Sequence, residues 1–241
     1  MRPDDESIHF IYGTAAHEAI QSFLPAFFGG EPTPSLQDLL RNQMRREFKA
    51  SRNAFEGSEF PVSKSEMDQA YQDGCQVLRT FEKDVQQYFD PGLEQLLGIE
   101  RKLEVPFRGG LHWIGYIDLL LKGPRGFRIV DLKTSKKGWG HHKKKDKKVT
   151  DQLLFYKHFL HLQEGIPKNE IQVEYLILSP QDTPTISVFE PPSGPQEMQR
   201  IEGVLEDFVE QAFDDPYSYS DRRHPKKPGK WNCCFCPYSE G

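Results

Sequence analysis

Two aspartates stand inside apolar segments of this chain, and they constrain its fold more than any other feature. Asp118 lies between Ile117 and Leu119, and Asp131 lies within the run IVDLK at residues 129–133. Burying a carboxylate in such a segment costs several kcal/mol unless a cation or another polar partner compensates it. The fold must therefore bring both carboxylates to a partner that stabilises them.

The two aspartates are predicted to lie on neighbouring strands. Residues 112–121 and 127–133 have the composition of strands, and the Gly-Pro-Arg-Gly segment between them predicts a tight turn. A turn this short favours antiparallel pairing. Because side chains alternate along a strand, Asp131 and Lys133 project from one face. The pairing is expected to bring two carboxylates and one ammonium together.

Two interpretations of this group are open. A salt bridge on a sheet surface needs nothing more than the common Asp-x-Lys tripeptide. A site that hydrolyses phosphodiesters would use the same residues, because Mg²⁺ prefers oxygen ligands and polarises a phosphate. In such a site Lys133 would orient the attacking water and stabilise the developing negative charge. Two aspartates within apolar strands favour the second interpretation.

The rest of the chain predicts a mixed α/β domain. Apolar residues at helical spacing predict a helix over residues 14–28, and two capping boxes, Ser35 with Asp38 and Ser63 with Glu66, predict two more helix starts. Further strands are expected at residues 99–107, 171–178 and 185–190, and further helices at 150–162 and 196–213. We expect one domain over residues 1–241, with a helical part at 14–98, a catalytic α/β core at 99–213 and an irregular cysteine-containing tail at 214–241.

The segments around the aspartates resemble a known family. GYID at residues 115–118, followed by IVDLKTSK at 129–136, is similar to the PD-(D/E)XK nuclease superfamily. Within it the motifs resemble the RecB-like exonuclease branch, which includes CRISPR-associated adaptation nucleases and phage recombination exonucleases. The resemblance implies a restriction-endonuclease-like core, with a central mixed sheet flanked by helices after a helical N-terminal region. It also implies that Asp118, Asp131 and the Leu132 carbonyl bind metal and that Lys133 is catalytic.

A histidine motif extends the resemblance upstream. GTAAHEAI at residues 13–20 matches the G-x-x-x-H pattern of that branch, which makes His17 a candidate metal ligand in the first turns of a helix. The alternative is a core or capping histidine. Since imidazole is softer than the ligands that Mg²⁺ prefers, a histidine ligand indicates that Mn²⁺ also serves. The expected cofactor is therefore Mg²⁺ or Mn²⁺.

A second motif and an acid extend the resemblance on either side of the aspartates. Gln152 and Tyr156 match its Q-x-x-x-Y pattern, so the helix at 150–162 is expected to border the site and contact DNA. The alternative is an ordinary amphipathic helix with Tyr156 in the core. Glu100 is a candidate accessory acid, and Glu104 competes with it for that role.

A basic segment follows the second aspartate strand. Its candidate DNA-binding residues are Lys136, Lys137, Trp139, Lys143, Lys144 and Lys145. Lysines supply affinity for phosphates that does not depend on sequence, and Trp139 is expected to stack on an unpaired base. The alternative is a solvated loop. Because the net charge of the chain is −5, any DNA-binding surface must be local.

The cysteines cluster near the end of the sequence. The resemblance would place one iron–sulfur ligand before the histidine motif and three more in a C-x2-C-x5-C group, but no cysteine precedes His17, and the tail provides the C-x2-C spacing through Cys233 and Cys236 alone. We therefore expect no iron–sulfur cluster in this chain. A zinc site made of Cys233, Cys236, His224 and either Cys234 or Cys75 is the alternative.

Together these features predict a metal-dependent DNA nuclease, favoured as an exonuclease on single strands or ends in recombination, repair or phage DNA processing. A catalytically silent or partner-activated DNA-binding subunit and a structure-specific endonuclease are the alternatives. Recombination or replication proteins, or further copies of the chain, are its candidate partners. No apolar run approaches the roughly 20 residues of a membrane span. The sequence begins without the pattern of a signal peptide, so the cytoplasm, or a host cytoplasm for a viral protein, is expected.

Overall fold

Three helices open the fold. The computed structural model describes residues 8–54, 62–215 and 218–220. The helices are α1 (Ile8–Gly29), α2 (Leu36–Ala54) and α3 (Lys64–Tyr88). Helix α1 begins at Ile8 rather than near residue 14, so His17 lies in the middle of the helix and not in its first turns. No helix in the described ranges is long and apolar enough to cross a membrane.

A five-stranded mixed sheet follows the helices. Its strands, in spatial order, are β1 (Gln95–Arg108), β2 (Leu111–Gly123), β3 (Gly126–Thr134), β4 (Ile171–Ser179) and β5 (Thr185–Phe189). β3 and β4 are parallel, and the other neighbouring pairs are antiparallel. Residues 95–98, expected in the helical part, belong to β1 because they continue its pairing with β2.

The remaining helices complete the domain. They are α4 (His141–Lys145) and α5 (Lys147–Glu164), which connect β3 to β4, and α6 (Pro195–Ala212), which follows β5. A short ladder of β6 (Phe213–Asp215) and β7 (Ser218–Tyr219) lies where the irregular tail was expected to begin. A mixed sheet flanked by helices, after a helical N-terminal region, confirms the predicted fold class.

Each face of the sheet has its own apolar core. Val130 and Leu132 of β3 pack with the helices α1 to α3, whereas Ile129 of the same strand packs with α5 and α6. This follows from the alternation of side chains along a strand. It also explains why β3 and β4 are almost continuously apolar, since both of their faces are covered.

The predicted capping box at α3 is confirmed. The Glu66 backbone N–H donates to Ser63 Oγ at 3.2 Å, and the Ser63 backbone N–H donates to Glu66 Oε2 at 2.7 Å. At α2 the Asp38 backbone N–H donates to Ser35 Oγ at 3.3 Å. These contacts satisfy amide groups that the first turn of a helix leaves unpaired.

The turn between β2 and β3 sets the register of the two aspartate strands. Gly126 has a φ of 100° and pairs with Gly123 across the turn. A Cβ at Gly126 would lie 2.3 Å from the Glu170 carbonyl oxygen, which belongs to the backbone just before β4. Only glycine fits here, because both the φ and the close approach exclude a side chain.

We expect Gly126→Ala to lower the free energy of unfolding by about 2–4 kcal/mol, since it adds a backbone clash to the strain of a positive φ. Gly110→Ala is the matched control, because Gly110 has a φ of 81° but an added Cβ there would meet open space, with no contact within 4 Å. It should cost about 1–2 kcal/mol from strain alone. Denaturant unfolding measures both values, and equal losses would contradict the clash with Glu170.

Candidate active site

Asp118 and Asp131 converge where the pairing of β2 with β3 stops. The register of that pair runs to Leu119 opposite Val130, so one further step would place the aspartates opposite each other. Beyond that point the Leu132 backbone N–H donates to Asp118 Oδ2 at 2.8 Å. The Asp118 carboxylate thus takes the place of the β2 backbone carbonyl that would have accepted this hydrogen bond if the two strands had remained paired.

Asp131 is the most buried acid of this group. It is 1 % exposed, and its Oδ1 has no hydrogen-bond partner among the described residues. Lys133 Nζ lies 2.7 Å from Asp131 Oδ2, on the strand face that the sequence predicts for both side chains. Burial raises the pKa of Asp131, and Lys133 opposes the shift. Burial and the neighbouring Asp131 carboxylate also raise the pKa of Asp118.

His17 approaches the aspartates from α1. Its Nδ1 lies 3.8 Å from Asp118 Oδ2. Burial and the Lys133 charge lower the pKa of His17 to about 4, so the imidazole is neutral at neutral pH, as a metal ligand must be. A Cβ at Gly13, one turn earlier, would lie 3.1 Å from Thr134 Oγ1. The glycine of the G-x-x-x-H motif therefore lets the helix pack closely against β3.

Glu100, on β1, lies opposite Asp118 of β2. Its neighbours in the register are Ile99 opposite Leu119 and Arg101 opposite Ile117. Among the described residues it is the one non-glycine residue with positive φ, at 48°. Such strain costs about 1–3 kcal/mol and persists where the surrounding packing enforces it.

Gln21 holds Glu100 from α1, although no sequence motif marks this glutamine. Its Nε2 donates to Glu100 Oε1 at 2.6 Å, and Gln21 itself is buried. The sequence feature that could have identified Gln21 is its position four residues after His17, which places both side chains on one helix face. The accessory acid is thus tied to the histidine helix.

The β1–β2 hairpin reverses its faces at Glu100 and Asp118. Leu119 packs in the core beneath α1 to α3, whereas Ile117, two residues earlier, packs in the core beneath α5 and α6. In a regular strand residues two apart face the same way, so the hairpin must twist sharply between them. The two acids lie at this twist, where the hairpin leaves the sheet and crosses to α5.

The Gln152 and Tyr156 pair of α5 lies against this hairpin. Gln152 Nε2 donates to the Tyr156 hydroxyl at 2.9 Å. A Cβ at Gly115 would lie 2.8 Å from Tyr156 Cε1, so the glycine of GYID makes room for the phenol ring. Burial raises the pKa of Tyr156, and the Asp131 charge adds to the shift. The protonated phenol therefore borders the aspartates, as the resemblance implies.

The basic segment lies next to Lys133, but Trp139 does not have the expected role. Lys136 and Lys137 are exposed in the turn after β3, and Lys143, Lys144 and Lys145 lie on α4. Trp139 is 8 % exposed and packs on Tyr175 with ring centroids 4.8 Å apart. The prediction that Trp139 stacks on an unpaired base is wrong, because its ring belongs to the core beneath α5 and α6.

The donor set has the chemistry of a site for a hard divalent cation. Two carboxylates and a neutral imidazole converge, and the buried Asp131 Oδ1 lacks a partner in the part of the chain that the structure describes. As the side chains stand, no three His, Cys, Asp or Glu residues in the described ranges could hold one ion together. Lys133 Nζ lies beside Asp131, so ion binding requires side-chain shifts around this lysine.

The cysteine predictions fall mostly outside the described residues. Cys233, Cys234, Cys236 and His224 all lie there, and with them the expectations about an iron–sulfur cluster and zinc. Cys75 is buried in the core beneath α1 to α3.

We expect Gly115→Ala to destabilise the protein by about 1–3 kcal/mol through overpacking against Tyr156. A glycine-to-alanine change within a strand would otherwise be favourable. The Tyr156→Ala background removes the ring, so the cost of Gly115→Ala should vanish there. A double-mutant cycle of unfolding free energies measures the coupling, and additive effects would contradict the contact.

Comparison with known proteins identifies the family. The sequence matches the PD-(D/E)XK nuclease superfamily over residues 1–240. No curated protein matches the chain significantly. A proposed exonuclease from Eubacterium rectale has 14 % identity and a TM-score of 0.44, and the similarity covers 80 % of this chain and 64 % of that one. The chain thus spans less than two thirds of that protein.

A second structure, that of SSO0001, has 16 % identity and a TM-score of 0.26, with 70 % of each chain covered. Both structural likenesses are too weak to support an argument about activity. The family match is different in kind, because it extends over nearly the whole sequence and agrees with the mixed sheet and its flanking helices. The chain belongs to the PD-(D/E)XK nuclease superfamily.

Proposed function

We propose that this chain is a metal-dependent DNA nuclease whose centre is formed by Asp118, Asp131 and Lys133. The observation that carries the proposal is the Asp131 carboxylate, which is 1 % exposed, has no partner at Oδ1 among the described residues and lies beside the half-buried Asp118. Two such carboxylates are costly unless a cation compensates them. A structural salt bridge would need one carboxylate and one ammonium, whereas this site has a carboxylate in excess.

Asp118, Asp131, His17 and the Leu132 carbonyl would hold Mg²⁺ or Mn²⁺. A divalent cation bound there supplies Lewis-acid polarisation of the phosphate. Lys133 orients the attacking water and stabilises the negative charge that develops on the phosphate. Glu100, held by Gln21 at 2.6 Å, adds an acid opposite Asp118.

Gln152, Tyr156 and the basic segment would guide the DNA strand. The Tyr156 phenol keeps its proton at neutral pH and can donate to a phosphate oxygen. The finer proposal is exonuclease action on single strands or DNA ends, in recombination, repair or phage DNA processing, inside the cytoplasm. It derives from the resemblance of the motifs to the RecB-like branch.

A partner-activated subunit is the second candidate. The observation that favours it is that His17, Asp118 and Asp131 do not jointly surround an ion as they stand. In this case a recombination or replication protein, or another copy of the chain, would complete the centre.

Degradation of end-labelled linear single- and double-stranded DNA, beside a closed circle, tests the proposed activity. We expect cleavage of linear DNA with Mg²⁺ or Mn²⁺ and none with a chelator. Lys133→Ala and Asp118→Ala should each lower the rate by about 10²–10³-fold, since each removes charge stabilisation at the phosphate. Cleavage of the circle would exclude a purely exonucleolytic enzyme.

The exposed Lys122 and the half-buried Asp84 supply matched controls, as Lys122→Ala and Asp84→Ala should leave the rate unchanged. A chain that binds DNA but cuts no substrate with either metal would contradict the catalytic proposal and favour the partner-activated subunit.

A metal-binding readout that does not depend on cleavage is thermal unfolding. Asp118→Asn keeps an acceptor for the Leu132 N–H but removes one of two neighbouring like charges. Burial and the Asp131 charge raise the pKa of Asp118, so this charge is unfavourable in the folded chain. We therefore expect the variant to melt at a higher temperature than the wild type in a chelator. Mn²⁺ should raise the melting temperature of the wild type alone. An equal Mn²⁺ effect on both proteins would exclude Asp118 as a ligand.

A further inference from the structure

Three aromatic rings form a support beside the catalytic centre. Their centroids are 4.8 Å apart for Trp139 and Tyr175, 6.0 Å for Trp139 and Phe189, and 6.3 Å for Tyr175 and Phe189. The Tyr175 side chain is fully buried, and its hydroxyl donates to the Val149 carbonyl at 2.7 Å. The aromatic support, meaning Trp139, Tyr175 and Phe189, is therefore fixed by the core beneath α5 and α6.

One lysine ammonium group lies near each ring of the aromatic support. Lys133 Nζ lies 5.9 Å from the Tyr175 centroid, Lys143 Nζ lies 4.9 Å from that of Trp139, and Lys144 Nζ lies 5.3 Å from that of Phe189. Ammonium groups within about 6 Å of a ring centroid are attracted by the ring face. The support thus places two further ammonium groups in fixed positions beside Lys133.

These two ammonium groups differ from that of Lys133 in their partners. Lys133 pairs with Asp131, whereas no carboxylate in the described ranges pairs with Lys143 or Lys144. Burial and the Lys133 charge lower the pKa of Lys143. A fixed, uncompensated pair of positive charges is suited to an anion.

A cleft lies beside Lys143. Its volume is about 570 Å³, and it is lined on one side by Thr134, Lys136 and Lys143 and on the other by residues of α1 and α3, which include Glu66 and Asp73. Lys143 lines this cleft and lies over Trp139, whose ring contacts the Tyr175 ring beneath Lys133, so Lys143 lies between Lys133 and the cleft. A backbone phosphate next to one held at Lys133 would therefore come within reach of α4.

We infer that Lys143 and Lys144 form a second phosphate-binding position, which holds a backbone phosphate next to the one that is cut. Trp139 and Phe189 are positioning residues that fix the two ammonium groups. This inference rests on the proposed nuclease function, because that function supplies a strand with successive phosphates. The basic segment then contains an ordered binding site, rather than only mobile lysines in solvent.

The two accounts of the basic segment differ in how they rank its lysines. A solvated segment attracts DNA through its total charge, so each lysine contributes about equally. A fixed phosphate position depends on the two lysines that rest on rings. Lys148 is the matched control, because it is an exposed lysine in the same stretch and lies over no ring of the described residues.

Binding of a fluorescent single-stranded oligothymidylate in a chelator, over a series of salt concentrations, tests the ranking without cleavage. Lys143→Ala and Lys144→Ala should each weaken binding about tenfold, as expected for the loss of a charged hydrogen bond. Each should also reduce the slope of log Kd against log salt by about 0.7. Lys148→Ala should change the affinity less than twofold. Equal losses for all three variants would overturn the inference.

Trp139→Leu and Phe189→Leu test the aromatic support. Each keeps an apolar side chain but removes a ring face, so each should weaken binding, by no more than the loss of its lysine. Trp139→Leu combined with Lys143→Ala should bind no more weakly than Lys143→Ala alone. Phe189→Leu with Lys144→Ala provides the same test at a half-buried ring, in case Trp139→Leu does not fold. Folded leucine variants with wild-type affinity would overturn the positioning role.

Failure of this inference can be told apart from failure of the proposed function. A wild-type chain that cuts DNA, but shows no metal-free affinity or no difference among the lysines, contradicts the second phosphate position alone. A chain that neither binds nor cuts DNA contradicts the proposed function and the inference with it.

Discussion

The burial of Asp131 next to Asp118 is the constraint on which the rest of the site depends. Asp131 is 1 % exposed and has no partner at Oδ1 among the described residues, and Lys133, 2.7 Å from its other oxygen, offsets part of the cost of burying it. One ammonium cannot neutralise two carboxylates, and burial raises the pKa of both acids. This unfavourable burial weakens the folded chain, and a cation bound at the centre would offset it.

The backbone around the aspartates is irregular in ways that create this centre. The pairing of β2 with β3 ends at Leu119, which frees the Leu132 amide for Asp118. On the other side of β2, Glu100 adopts a positive φ at the point where the hairpin reverses its faces. Both arms of the hairpin are anchored in apolar cores, and this packing offsets the local strain.

The sequence was sufficient for features that depend on local patterns. The order of helices and strands follows from apolar periodicity, and the shared face of Asp131 and Lys133 follows from their spacing in a strand. Features that depend on distant residues were not accessible. Trp139, flanked by glycines and lysines, has the local pattern of an exposed residue, yet Tyr175 and Phe189 bury it. The link from Gln21 to Glu100 is equally non-local, since it joins α1 to β1.

The surroundings of the lysines explain how a chain with a net charge of −5 can present a positive surface at one place. Away from the centre, lysines such as Lys147 and Lys168 pair with the carboxylates of Glu197 and Glu202, and these pairs cancel charge. A ring restricts an ammonium group without neutralising it, whereas a carboxylate does both. Near Lys133 the lysines have aromatic partners instead of carboxylates, which leaves ordered positive charge where a polyanion would be held. Acidic residues more than about a Debye length away are screened by salt, so the net negative charge of the chain does not cancel this positive surface.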